Sequence, residues 1–273
     1  MNKCKTIQNE IVFSGIGLHS GKMVNMKLVP SNDGGIVFKR VDKKENNIVK
    51  GLFSNVIDTK LGTTIGNGVE KVATIEHLMA SLWACDIDNI IIEIDNQETP
   101  IMDGSAIEFI KKIKEAGIKE LNTERKYLKV EKEIEYIDGD KSIKIIPDDK
   151  FSIDMTVDFN YGGIGKQHYV FDGNQENFIK NIAIARTFCN QVEIDYMRQL
   201  GLARGGSMDN AMIFDNNGLV NEGGFRTDFE VVKHKILDCV GDLFTSGYYI
   251  KGKVIANKTG HTLNNLFVRK LLS

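Results

Sequence analysis

One order of strand-like and helical segments recurs in both halves of the chain, and this recurrence limits the fold more than any other feature. In the first half, strand-like stretches (TIQNEIVFSG, MVNMKLVP, GIVFKRV) precede a helical pattern in ATIEHLMASLWAC, the apolar strand NIIIEID and a second helical pattern in SAIEFIKKIKEAG. In the second half, strands (YLKVEKEIEYI, KSIKIIP, FSIDMTVDFN) lead to a helix near NFIKNIAIARTF and a Gly-rich segment. The helix FEVVKHKILDCVGD, the strand GKVIAN and a last helix in NNLFVRKLLS follow. Apolar spacings near two and near 3.6 separate the two kinds of segment. The shared order predicts an α+β protein of two similar domains. With 273 residues, each can bury its own core. The prolines, at positions 30, 100 and 147, mark no linker. The boundary is therefore placed near residue 125, in the charged run KEAGIKELNTERKYLKVEKEIEY, giving domains of residues 1–125 and 126–273.

Composition excludes several partner classes. A formal net charge of -2 leaves no basic excess to neutralise a run of phosphates, so no nucleic-acid partner is expected. The N-terminal MNKCKTIQNEIVFSG lacks the apolar stretch of a signal peptide, and no segment approaches a membrane span. A cytoplasmic monomer without stable membrane insertion is expected. Cys4, Cys85, Cys189 and Cys239 form no Cys-x-x-Cys pair, so a metal, if used, must be held by histidines and carboxylates.

The helix FEVVKHKILDCVGD interrupts its apolar pattern with His234, Asp238 and Asp242, each four residues from the next. At 3.6 residues per turn they share a stripe roughly 80° wide. His77, beside Glu76, falls early in a helix that Thr74 can cap. His234 and Asp238 can bind one ion from a single helix face, and His77 can complete a three-ligand set. The same spacings also suit surface hydrogen bonds and helix-dipole pairing, so the residues alone leave both readings open. His261, between a strand and the last helix, can act as a general acid or satisfy a turn. His19 reads as part of a turn between strands, and His168 as structural at the start of a strand.

Longer strings sharpen these alternatives. TIEHL (74–78), IMDGSA (101–106), ARTF (185–188), GGSMDNA (205–211), HKILDCVGD (234–242) and GHTLN (260–264) occur in one order. Together they resemble the UDP-3-O-acyl-N-acetylglucosamine deacetylases, zinc enzymes at the committed step of lipid A biosynthesis, from about Gln8 to the last residues.

The resemblance implies two α+β sandwich domains, each a mixed sheet packed on two helices, with the active site between them. It also implies small insertions, near 51–66 in the first domain and a βαβ element near 188–215 in the second. The second insertion would shape an apolar passage for a fatty acyl chain, and Ile194, Tyr196, Met197, Leu200, Leu202, Met212 and Ile213 suit that use. The implied substrate is a UDP-sugar carrying that chain, which loses its 2-N-acetyl group as acetate. His77, His234 and Asp238 would hold zinc, with ferrous iron also tolerated. Glu76 would be the general base, and His261, oriented by Asp242, the proton donor. Thr187 would bond the oxyanion. Lys235 and Lys258 would face sugar and diphosphate, Phe159 the uracil, and Leu61 and Phe188 the sugar. The chain departs from the family pattern in three places. Tyr161-Gly162 replaces a usual His-Pro, Thr227 a usual aromatic, and Lys233 a usual Arg before the metal histidine.

Overall fold

A computed structural model describes residues 2–273. It is an α+β structure built on two large mixed sheets. The first runs Ile11–Ile16, Met23–Pro30, Ile90–Ile94, Ile36–Arg40, Ile48–Lys50 in spatial order, and its one parallel pair joins Ile36–Arg40 to Ile90–Ile94. Val24, Met26 and Leu28 alternate inward along one strand, as a sheet with one buried face requires. Helices α1 (Glu76–Ala84) and α2 (Ile107–Ala116) accompany this sheet.

The second sheet runs Ile134–Asp138, Lys141–Ile146, Tyr249–Asn257, Phe151–Phe159, Gly165–Phe171, with Tyr127–Lys129 added beside the start of Tyr249–Asn257. Three-residue α3 (Gln175–Asn177) continues into a π-turn at Phe178–Ile182, and α4 (Gln191–Gln199), α5 (Glu230–Phe244) and α6 (His261–Leu271) follow. Smaller three-stranded sheets occupy Val56–Val72 and Phe188–Leu219, the latter beginning as a βαβ unit of Phe188–Asn190, α4 and Met212–Asp215.

Helices α1 and α5 pack on each other, and one apolar core runs through both sheets. Trp83 of α1 illustrates the continuity, with its ring 5.5–6.0 Å from those of Phe151, Phe171 and Phe178. All nine residues of α1 are buried, Glu76 and His77 included. The approach of the two helices depends on Gly241, where a Cβ would lie 2.0 Å from the Glu76 carbonyl oxygen. That contact sets two polar helix segments against each other within an apolar interior.

Several local expectations change. TIQNEIVFSG divides into Lys3–Ile7 and Ile11–Ile16, which belong to different sheets. Lys3–Ile7 pairs with Ile118–Glu124, a strand hidden in the charged run because Leu121 is its one buried residue. YLKVEKEIEYI is two strands at separate places in the second sheet. The helix expected across NFIKNIAIARTF stops at Ile182, and residues 183–187 turn away to serve the polar centre. Thr74 does not cap α1. Its φ of 58° is left-handed, and its hydroxyl donates instead to buried Glu98 Oε1 at 3.1 Å. His261 is the first residue of α6 rather than part of a loop, so its helix begins three residues earlier than the apolar pattern suggests.

Candidate active site

Three helices deliver the polar residues to one place. The stripe on α5 presents His234, Asp238 and Asp242, all buried, toward the first turn of α1 and the first residue of α6. Asp238 Oδ1 lies 3.5 Å from His77 Nε2 and 3.4 Å from His234 Nε2, and it has no hydrogen-bond partner although it is buried. The three residues can each offer an atom within 4.8 Å of the others. Tetrahedral ligands about 2.0–2.1 Å from an ion stand roughly 3.3 Å apart, so an orphaned carboxylate oxygen facing two imidazole nitrogens fits a divalent cation. A buried acceptor left without a partner costs stability, and a cation would satisfy it.

The surrounding contacts orient these atoms. His234 Nδ1 is 3.1 Å from the Ala185 carbonyl, which can accept only from an N–H. The Nε2 lone pair is thereby left to face Asp238. Burial lowers the His234 pKa to about 4, which keeps the ring neutral near pH 7. Burial works against ionised Asp238, but the Lys235 ammonium and the charged His261 reverse this and hold the carboxyl well below its usual range. Lys235 Nζ donates to Asp238 Oδ2 at 2.6 Å.

His261 and Glu76 complete the centre. His261 Nδ1 is 2.9 Å from Asp242 Oδ2, and Nε2 is 3.8 Å from Asp238 Oδ2. Burial opposes a charged His261, yet the Asp242 and Asp238 charges outweigh it and push the pKa up to about 9. Near pH 7 this imidazole carries a proton. Glu76 is raised, because burial outweighs the lowering effects of His261 and His77. The pair is thus a carboxylate with heightened proton affinity and a charged imidazolium beside one metal-fitting set.

The residues expected to bind substrate line two adjoining cavities. A smaller one, of about 330 Å³, includes Leu61, Thr187, His234, Lys235, Asp238 and His261 in its wall. A larger one, of about 770 Å³, shares Leu61, Thr187, Phe188 and Lys235 with it and adds Phe159 and Lys258. Phe159 meets Phe188 edge to face at 5.1 Å. Lys258 sits at the rim, with Nζ 3.1 Å from Asp140 Oδ2 and 3.3 Å from Asp158 Oδ2. Of the apolar insertion residues, Ile194, Met197 and Ile213 face the larger cavity. Tyr196 and Leu200 are instead exposed, since a helix can turn one stripe toward a cavity while its others point away, and Met212, in strand Met212–Asp215, is in the core.

His19 occupies the expected turn, with its ring at the larger cavity and Nε2 3.3 Å from the Leu61 carbonyl. His168 pairs with Asp154 on the neighbouring strand at 2.7 Å, away from the site. Sequence reasoning missed three supports. Thr63 donates its hydroxyl to Asp242 Oδ1 at 2.5 Å and its N–H to Glu76 Oε2 at 2.8 Å. Asn264 Nδ2 donates to Asp242 Oδ2 at 2.8 Å. Glu98 accepts from the N–H groups of His19 and Ser20 and from Thr74. Asn264 stands within the GHTLN string and could have been found there; Thr63 and Glu98 carry no local pattern.

A model of the UDP-3-O-acyl N-acetylglycosamine deacetylase family, LpxC, matches residues 4–273. This chain belongs to the LpxC family. Among its relatives, a UDP-3-O-acyl-N-acetylglucosamine deacetylase of Geobacter sp. (strain M21) is 45% identical over 269 residues, covering 98% of this chain and 88% of that protein. One of the same description from Nautilia profundicola is 44% identical, covering 99% of this chain and 92% of its own. A third, from Teredinibacter turnerae, is 42% identical and covers 100% and 91%. Two of the positions expected to depart from the family pattern meet in space. Lys233 Nζ donates to Thr227 Oγ1 at 2.6 Å and lies 5.0 Å from the centre of the Tyr169 ring. The third, Tyr161-Gly162, packs its ring on Phe159 and Phe214, and Gly162 has a φ of 59° with no room for a Cβ beside Phe214.

Proposed function

We propose that this chain hydrolyses the 2-N-acetyl group of UDP-3-O-acyl-N-acetylglucosamine, giving acetate and UDP-3-O-acyl-glucosamine, the committed step of lipid A biosynthesis. The observation that carries the reading is the buried, unpartnered Asp238 Oδ1 facing His77 and His234, with proton-hungry Glu76 and charged His261 at its sides. A zinc or ferrous ion held by His77, His234 and Asp238 supplies Lewis-acid activation of water and of the amide carbonyl when bound.

The remaining work falls to the chain's own groups. Glu76 takes a proton from the attacking water, and its raised pKa suits it to that role. Negative charge then grows on the acetyl oxygen, where the Thr187 hydroxyl can donate a hydrogen bond. Breaking the C–N bond needs a proton on the leaving nitrogen, and His261 gives one while Asp242 fixes its ring through Nδ1. Lys235 and Lys258 are assigned to the sugar and diphosphate, Leu61 and Phe188 to the sugar face, and Phe159 to the uracil. The larger cavity takes the acyl chain along Ile194, Met197 and Ile213.

Residues 1–125 and 126–273 are read as the two domains that enclose this site. No helix of the described residues is long and apolar enough to cross a membrane. A monomeric cytoplasmic enzyme acting on a nucleotide sugar is part of the reading proposed. Glu76→Ala and His234→Ala test the assignment, with metal content and turnover measured on the same samples. Glu76→Ala should keep its metal and lose about 10²–10⁴ in rate, whereas His234→Ala should lose the metal itself. Full turnover by Glu76→Ala would refute the proposal.

A further inference from the structure

The α5 stripe has a fourth member one turn earlier. Glu230 precedes His234 by four residues, so Glu230, His234, Asp238 and Asp242 lie along one face of the helix. Its side chain is fully buried, and it is paired with Arg186, itself buried. Arg186 Nε donates to Glu230 Oε1 at 2.9 Å and one terminal nitrogen to Oε2 at 3.1 Å, while the backbone N–H of Arg186 donates to Oε1 at 3.0 Å. Arg226 adds its N–H to Oε2 at 2.7 Å, and Arg186 also reaches the Gly224 carbonyl at 2.7 Å.

A buried charge pair contributes little net stability against well-packed apolar residues, because desolvation offsets the attraction. Its position suggests another use. Arg186 stands between Ala185, whose carbonyl accepts from His234 Nδ1–H, and Thr187 at the cavity wall. The same three-residue segment is gripped from the first half of the chain, where the Gly104 carbonyl accepts from Thr187 N–H at 2.8 Å. Arg226 spans the two grips, donating to Asp103 Oδ2 at 2.6 Å. Gly104, with φ of 82°, also admits the Asn210 carbonyl, which a Cβ there would strike.

We propose that Glu230 and Arg186 are positioning residues: their ion pair locks segment 185–187 to α5, so that the Ala185 carbonyl holds His234 in its Nδ1-protonated form and Thr187 stays at the reacting carbonyl. This inference rests on the deacetylase reading for its kinetic consequence. The fixing of the His234 tautomer stands without it. A supporting group behind a metal histidine typically contributes about 10–100-fold in metal affinity or activity.

The test is the double variant Arg186→Met with Glu230→Gln in the full chain, beside Glu230→Gln alone. Removing both charges leaves no unpaired ion in the interior, and the Gln oxygen can still accept from one of the two backbone N–H groups that Glu230 serves, those of Arg186 and Arg226, so the double variant should fold even where a single one fails. Three quantities are read: the His234 tautomer from ¹⁵N NMR of metal-free protein, zinc affinity by chelator competition, and kcat and KM separately. Expected are a mixture of His234 tautomers, zinc bound about 10–100-fold more weakly, and a lower kcat with KM little changed. A folded double variant with the wild-type tautomer, zinc affinity and kcat would overturn the proposal and leave the pair a purely structural one. Should the wild-type protein bind zinc yet fail to deacetylate, the functional reading falls, and the tautomer and affinity measurements still decide this one.

Discussion

His261 Nδ1 and Asp242 Oδ2 stand 2.9 Å apart, joining the first residue of α6 to the last turn of α5. Burial alone would discharge the imidazole, and the Asp242 and Asp238 charges instead lift its pKa to about 9. Because the folded pKa is raised, the protonated form is present below it and is lost as pH rises through it. Deacetylation should therefore fall on the alkaline side. Asp242→Asn removes the main supporting charge, so the alkaline limb of kcat/KM against pH should move to lower pH. An unmoved limb would assign that ionisation elsewhere.

Thr63→Val should shift the same limb the other way. The Thr63 hydroxyl donates to Asp242 Oδ1 and draws off part of its charge. Without it, Asp242 supports the imidazolium more strongly, and the limb should move to higher pH. Loss of a buried hydrogen bond to a charged group should also cost about 1.5–3 kcal/mol of stability in urea unfolding. Opposite shifts in the two variants would separate an electrostatic effect from general damage.

Gly241→Ala tests the α1–α5 contact. The new methyl would lie 2.0 Å from the Glu76 carbonyl oxygen, so one helix must move. Overpacking of this kind costs about 1–3 kcal/mol, and turnover should fall with it because Glu76 and His77 sit on the displaced turn. Gly223→Ala is the control. Its Cβ meets nothing within 4 Å and its φ is not left-handed, so stability should stay within about 0.5 kcal/mol.

Metal should act as a stabilising ligand, since it relieves the orphaned Asp238 Oδ1. At a free concentration 1,000 times its dissociation constant, the gain is about 4 kcal/mol. Thermal unfolding should shift upward with zinc and downward with a chelator in the wild type, and Asp238→Ala should abolish the difference.

Met197→Trp narrows the larger cavity on the face of α4 that lines it. For long acyl chains kcat/KM should drop by about tenfold or more, with a short-chain analogue much less affected. Equal losses on both would place the acyl chain elsewhere. Tyr196→Ala, on the exposed face of the same helix, should leave both unchanged.

Local spacing made much of this protein legible. Val24, Met26 and Leu28 alternate as a half-buried strand must, and His234, Asp238 and Asp242 fall on one helix face because 3.6 residues complete a turn. Signals failed where local pattern and tertiary need diverged. Ile118–Glu124 is a strand with one buried residue, so it shows no apolar alternation. Thr74 looks like a cap but spends its hydroxyl on Glu98, and its left-handed backbone is compensated by that contact. Segment 183–187 looks helical but leaves the helix because its backbone groups are used by His234, Glu230 and Gly104.

The sequence by itself determined which residues share a helix face, which chemistry those residue types permit, and through its ordered strings the family to which they belong. Tertiary structure decided which groups meet. Glu76 and His77 reach the α5 stripe because Gly241 admits α1 at backbone distance, and His261 reaches Asp242 because α6 begins there. Those meetings depend on packing between segments more than 150 residues apart, as with Glu76 and Gly241, or joined through a separate strand, as with Asp242 and His261. No short-range periodicity encodes them, since the steric fit that selects them arises only when both surfaces are formed.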